Sequence, residues 1–320
     1  MTGIGRLKHS RQTGFRFFLG WVLISLAGVQ FSCVTRPVVR EEPPSAPEVR
    51  AGVKVELSSP QVAQGELLRV TLKFEDPAEA ALLDPSELRG EFETIRFPFF
   101  TAPELGEGVY EGLLGIPYER AAGPGVIRVS AGEQKEISIS VVEGKYPSEV
   151  LRVDGRRVNP TKKKDLARIQ KEVAEVAQIY QSVTREKHWR KPFVLPIQSS
   201  VTSPFGSKRI YNGRLKNYHP GMDLRAPMLT PVYASAPGRV VLAKDLFYTG
   251  HTVMIDHGYG VITLYAHMNE LKVQAGALVD EKQLLGLSGK TGRVSGPHLH
   301  WQAVVNRVKV NPLGLVEVVK

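Results

Sequence analysis

Cysteine is almost absent from this chain: 320 residues carry one, Cys33, so no internal disulfide framework holds the fold together. Negative charge is also under-represented, with 32 Asp and Glu against 42 Lys and Arg and a formal net charge of +10. That imbalance implies anionic partners, yet no nucleic-acid-binding motif and no interleaving of aromatic with basic residues accompanies it. Nucleic acid is therefore not expected among the partners. No His-Glu-x-x-His helix and no Gly-x-Ser-x-Gly turn occurs, which removes two common hydrolase classes. The uncharged run Phe17 to Ser32 is short for a helix that spans a bilayer, which needs about 20 residues.

What that run does resemble is the apolar core of a secretory signal. Arg6, Lys8, Arg11 and Arg16 precede it and Cys33 follows directly. Residues 1–33 read as a signal peptide or a lipoprotein signal, with Cys33 the candidate lipidated residue. Ser32 suits such a site, whereas Phe31 and Gln30 do not, so a soluble periplasmic product and an uncleaved anchor stay open. Pro37, Pro43, Pro44 and Pro47 make residues 34–50 an extended tether. From 51 to 145, short runs alternate apolar and polar residues, as in Val53-Lys54-Val55-Glu56-Leu57 and Ile127-Arg128-Val129. Gly and Pro separate these runs, which predicts an immunoglobulin-like β-sandwich of about seven strands, without the disulfide. Residues 146–192 form a connector with a helix over 161–187: Thr161 is placed as its N-cap, and Leu166, Ile169, Val173, Val176, Ile179 and Tyr180 recur at helical spacing. From 193 to 320, β-signals and Gly turns predict a compact, mostly antiparallel β-domain. The fold class is thus mostly β. The halves differ in charge: 51–145 holds 9 Lys and Arg against 16 Asp and Glu, a net −7, while 190–320 holds 16 against 7, a net +9.

Four of the eight histidines and one aspartate fall in three short pieces of the basic half: His219-Pro220-Gly221-Met222-Asp223, Tyr265-Ala266-His267 and Gly296-Pro297-His298-Leu299-His300. Two imidazoles and a carboxylate with an open fourth position make a common catalytic zinc site. His298 and His300 share one face of a strand. His219 and Asp223 are four apart, but Pro220 and Gly221 argue for a loop rather than a helix face. That leaves more candidates than ligand positions, and a surplus histidine suits proton transfer beside a metal.

The ordered pattern His-x-x-x-Asp, Tyr-x-His, His-x-His resembles the lysostaphin-type (LytM-like) zinc endopeptidases, which cut peptidoglycan cross-links. Ser203-Pro204-Phe205-Gly206, Gly238-Arg239-Val240-Val241, Ile255-Asp256-His257-Gly258 and the run Gly286 to Gly292 match the framework of that family, so the resemblance covers roughly Pro196 to Leu315. It implies one zinc ion held by His219, Asp223 and His300, at the floor of a substrate groove. It further implies His267 and His298 as the catalytic pair, with His298 as general base and proton shuttle. His267 is left to stabilise the oxyanion or to help deprotonate the water. A relative that only binds the wall or activates an amidase typically loses ligands, and here all five residues are present. The substrate implied is peptidoglycan in the periplasm, with D-alanyl–diaminopimelate bridges ahead of glycine bridges. Outside the set, His251 and His257 read as structural or exposed and Trp301 as core, while Tyr265 shares its strand face with His267 and so either lines the groove or packs. The acidic 51–145 region reads as a spacer or packing partner, with a cover over the groove as the other arrangement its charge allows.

Overall fold

The computed structural model of the protein describes residues 52–151, 160–211 and 214–319. The signal and the tether expected within 1–50, including Cys33, lie outside these residues. Among the described residues no helix is long and apolar enough to cross a membrane.

The chain is mostly β. Eight strands between Val53 and Val142 follow one hydrogen-bonded path. Strand Ile95–Thr101 joins its two halves, pairing through Ile95 to Pro98 with Arg89–Phe92 and through Phe99 to Thr101 with Val109–Gly115. Alternation places Ile127, Val129 and Ala131 inward on Gly123–Ala131 while Arg128 stays exposed. The inward residues meet Leu68, Val70, Leu72 and Phe92 in one core, where each fully buried Leu or Phe contributes about 1.5–3 kcal/mol. The strand beyond the expected seven is Gln61–Ala63, which pairs parallel with Glu133–Val142.

A second, ten-stranded sheet runs Val201–Ser203, Met222–Arg225, His298–Val305, Val261–Leu271, Gly250–Gly258, Gly238–Leu246 and Leu278–Val279, with three short strands off this path. Its central strands are buried along nearly their whole length because both faces are covered. On one face Val253, Ile255, Tyr265 and Trp301 form a core. On the other, Met254, Leu264 and Val304 meet Val176, Ile179 and Tyr180 of the helix Lys163–Gln181. That helix is shorter than the sequence pattern predicts. Its N-cap position is Lys162, which makes no side-chain cap bond, so Thr161 lies one residue outside. Arg168 pairs with Asp245 and Lys244 with Glu175, tying the helix to Gly238–Leu246.

The two sheets share a third core. Leu67, Phe100 and Leu113 pack with Trp189, Phe193, Val305, Val310 and Leu315, and the Phe100 and Trp189 rings meet edge to face at 5.3 Å. Asn306 donates from Nδ2 to the Leu113 carbonyl at 2.9 Å, and Asn311 donates its backbone N–H to Gly65 at 2.8 Å. Between the two spacer-like roles the sequence allowed, the structure shows a packing partner.

Candidate active site

The site is built where Met222–Arg225 lies antiparallel to His298–Val305, with Asp223 opposite His300 and Arg225 opposite His298. Asp223 therefore sits on a strand, not in the loop that Pro220 and Gly221 implied; only His219 occupies the turn that leads into it. Gly221 is required there for space. A Cβ on it would stand 2.5 Å from the Trp301 carbonyl and 2.8 Å from His300 Cε1.

Three buried donor atoms converge. Asp223 Oδ1 lies 3.0 Å from His219 Nε2 and 2.8 Å from His300 Nδ1, and those two nitrogens are 3.0 Å apart. Burial pushes the His219 imidazole down from the usual 6.5 to about 4, so it is neutral at pH 7. Burial alone would raise the Asp223 carboxyl, yet hydrogen bonds and charge from His219 and His300 hold it well below the usual carboxylate range. His219 Nδ1 faces the Pro204 carbonyl at 3.1 Å. A proton there leaves Nε2 bare. Hydrogen bonding alone cannot satisfy three short contacts among three such donors, because each contact needs its own proton. A cation satisfies all three. Metal bonds of about 2.0–2.1 Å at tetrahedral angles give donor separations of about 3.3 Å, close to those found. The donor set thus fits a divalent metal.

The other two histidines stand beside these donors without joining them. His298 Nε2 is 3.7 Å from Asp223 Oδ1, and its Nδ1 donates to the Gly296 carbonyl at 2.9 Å. His267 Nδ1 donates to the Thr291 carbonyl at 2.9 Å, with its ring centre 4.9 Å from His298 and 5.9 Å from His300. In both rings the bond at Nδ1 leaves the Nε2 lone pair available. Burial, with His300 and His298 adding to it, lowers His267 to about 3.

Tyr265 does not share the His267 face. The register with Gly250–Gly258 shifts beyond Val253 and Tyr265, and His267 has φ 63°, which breaks the two-residue alternation. Tyr265 is instead core, with its hydroxyl 3.0 Å from both the Ser235 N–H and Thr263 Oγ1. Trp301 is core as expected from alternation with His300. His257 is fully buried, bonded to the Pro237 carbonyl and Thr263 Oγ1, and His251 is bonded to the Asn269 carbonyl. Neither belongs to the site.

These groups open into a cleft of about 870 Å³. Its walls include Tyr248 and Arg293, whose guanidinium lies 4.5 Å from the Tyr248 ring centre, together with Arg225 and Gln302. None of the described residues between 52 and 145 lines it, so the acidic sheet is not a cover. Sequence reasoning missed Ser203 and Arg209 as site residues. Arg209 Nη2 donates to Asp223 Oδ2 at 2.9 Å, leaving Oδ1 to the metal position, and Ser203 Oγ lies 3.0 Å from His219 Nδ1. It also missed Gln302, although the period of two that joins His298 to His300 reaches it.

Residues 217–312 match Peptidase family M23; the chain carries a Peptidase family M23 domain. In sequence it is similar to the peptidoglycan DD-endopeptidase ShyA of Vibrio cholerae, 43% identical over 95 residues that make up 30% of this chain and 22% of that protein. It is also similar to the DD-carboxypeptidase/endopeptidase Mpg of Neisseria meningitidis, 39% identical over 122 residues, 37% of this chain and 27% of that one. The chain thus spans about a quarter of the length of these curated relatives. In structure it resembles a crystal structure described as a peptidase M23 of Pseudomonas aeruginosa, with a TM-score of 0.58 and 27% identity over 72% of this chain and 87% of that one. That likeness reaches well beyond the family match.

Proposed function

We propose that the protein is a zinc-dependent endopeptidase that hydrolyses the peptide cross-links of bacterial peptidoglycan, with D-alanyl–diaminopimelate bridges as the bond cut. The observation that carries this reading is the convergence of His219, Asp223 and His300 beside two further histidines whose Nε2 atoms are free to handle protons. The DD-endopeptidase and carboxypeptidase/endopeptidase activities named for its relatives support the bond assignment.

His219, Asp223 and His300 would hold the zinc, which supplies Lewis acidity toward the scissile carbonyl and toward water. His298 Nε2, at the edge of the donor cluster, takes the proton of the attacking water and delivers it to the leaving amine. Burial, with His300 and His298 adding to it, lowers the His267 imidazole, so it holds that proton less well than an exposed imidazole would. It accepts a hydrogen bond from the water and orients it. Its Nδ1–H is committed to Thr291, which argues against the oxyanion role. Arg225 on the cleft wall suits a substrate rich in carboxylates.

The immunoglobulin-like reading of the N-terminal sheet belongs to this proposal. Its support is the order of strands: Val53–Leu57, Leu67–Phe74, Val109–Gly115 and Ile95–Thr101 on one side, and Arg89–Phe92, Gly123–Ala131 and Glu133–Val142 on the other, the arrangement of constant-type sandwiches. A location in the cell envelope, with the N-terminus as signal or lipid anchor at Cys33, rests on the sequence pattern and on the peptidoglycan named for the relatives.

Digestion of purified sacculi tests the reading. Mass spectrometry of the products should show cross-linked dimers falling and monomers rising, with loss of activity in chelator and recovery on adding zinc. Intact dimers with the zinc-loaded protein would overturn it, and glycine-bridge cleavage alone would replace the bond assignment.

A further inference from the structure

One carboxylate reaches the site from outside the matched family region. Strand Ser148–Leu151, in the connector, pairs parallel with Lys208–Tyr211, placing Glu149 opposite Arg209. Glu149 Oε2 accepts a hydrogen bond from Ser203 Oγ at 2.9 Å and lies 3.9 Å from Arg209 Nε. Ser203 Oγ in turn stands 3.0 Å from His219 Nδ1. Ser203 is buried, and Glu149 and Arg209 are largely so.

A serine hydroxyl has one proton and can present it to only one neighbour. With Glu149 accepting that proton, Ser203 turns its lone pairs toward His219, and the imidazole must carry its own proton on Nδ1. That tautomer leaves Nε2 bare toward Asp223 and His300. Without the carboxylate, Ser203 is free to donate to Nδ1, leaving the Pro204 carbonyl at 3.1 Å as the one remaining acceptor that favours a proton there; the competing tautomer carries its proton on Nε2 and blocks the metal position.

We propose that Glu149 is a positioning residue for the metal: through Ser203 it fixes the tautomer and orientation of His219, so that the connector completes a site whose ligands all lie in the 217–312 region. This rests on the reading of His219, Asp223 and His300 as zinc ligands. Partners that orient ligating histidines in this way typically change metal affinity by about 10–100-fold when removed. Arg209 faces Glu149 in register, its Nε 3.9 Å from the carboxylate, and Tyr218 of the same hairpin stacks on Tyr118 at 4.0 Å, which ties this corner to the N-terminal sheet.

The test measures zinc affinity of the full chain by competition with a fluorescent chelator, with Glu149→Ala, Glu149→Gln, Ser203→Ala and the double variant Ser203→Ala/Glu149→Ala. Glu149→Ala should bind zinc about 10–100-fold more weakly and Glu149→Gln, whose amide oxygen still accepts from Ser203, should lose less, while the urea midpoint of the metal-free protein stays unchanged in both. In the Ser203→Ala background the effect of Glu149→Ala should shrink, because the intermediary is gone. Unchanged zinc affinity in Glu149→Ala overturns the proposal. So does full additivity in the double variant, or a loss of affinity that only follows a loss of metal-free stability. A wild-type chain that binds no zinc overturns the reading of the ligands, and this proposal with it, whereas normal wild-type binding with unaffected variants overturns this proposal alone.

Discussion

His267 sits in the left-handed region at φ 63°, a conformation that costs a non-glycine residue of order 1 kcal/mol or more and persists only where its surroundings enforce it. Its N–H donates to the Thr249 carbonyl at 2.9 Å, and its ring donates to Thr291, so both ends of the residue are held while Nε2 turns to the cleft. The division of labour among the five site residues follows from such details. His219→Ala, Asp223→Ala and His300→Ala should each lose zinc, measured by metal content after gel filtration. His267→Ala and His298→Ala should retain it while hydrolysis of sacculi falls by about 10²–10⁴-fold. Full zinc content in His300→Ala would remove it from the ligand set. A separate expectation concerns acid. Burial, with a smaller contribution from His188, lowers His257 from 6.5 to about 4, and His267 is lowered in the same direction. Between these values the unfolded chain binds protons that the folded chain excludes, so stability falls as pH falls from about 6.5 toward 4. The His257 share is about 3 kcal/mol. Urea unfolding at pH 7 and pH 4.5 should show the drop. His257→Gln, whatever its stability at pH 7, should show a dependence shallower by about one proton. An unchanged slope would mean that His257 is charged in the fold.

Among the elements, the loop after Leu284–Ser288 is the one whose anchoring decides the chemistry. Thr291 Oγ1 accepts from the His251 N–H at 3.0 Å and donates to the Met268 carbonyl at 2.7 Å, pinning the loop to two strands of the sheet. Thr291 also supplies the carbonyl that holds His267. Thr291→Val keeps the volume and deletes both hydroxyl bonds, at a cost of about 1–3 kcal/mol. We expect kcat to fall with zinc content and KM little altered, since the His267 ring loses its orientation while the proposed ligands do not. A change confined to KM would instead assign the loop to substrate binding. The sequence made some of this readable and hid the rest. His298 and His300 share a face because Arg225 and Asp223 meet them in unbroken register, so a rule of period two sufficed. The same rule failed at Tyr265 and His267, where the register shifts and a left-handed residue intervenes. The helix was legible in its apolar spacing but not in its start, because Lys162 caps nothing and no local signal marks the boundary. Glu149 was illegible, since its contact with Ser203 spans 54 positions and depends on a parallel pairing between a connector and a hairpin.

At the scale of the whole molecule, opposite net charges on the two halves suggested a loose electrostatic partnership, and the structure places an apolar core there instead. Phe100 is buried against Trp189, and Trp189 against Phe193, with ring centres 5.3 and 5.9 Å apart, and Val308 and Val310 press on Gly115 so closely that a Cβ there would meet Val310 Cγ1 at 2.7 Å. Lys187 bridges the same seam, its ammonium 3.1 Å from Glu104 and 4.6 Å from the Phe100 ring centre. A seam of this kind contributes through burial, which salt screens far less than it screens exposed charge. The two sheets should therefore unfold together. Calorimetry of the full chain should give one cooperative transition for both, nearly independent of salt between 0.05 and 0.5 M as an order-of-magnitude range. Phe100→Ala should lower stability by about 3–5 kcal/mol and destabilise the ten-stranded sheet although the residue belongs to the other one. A fragment limited to 193–320 should then fold poorly, because it exposes Phe193, Val310 and Leu315. Two separate transitions, with only the N-terminal one shifted by Phe100→Ala, would show instead that the halves are independent and that the seam is only a contact.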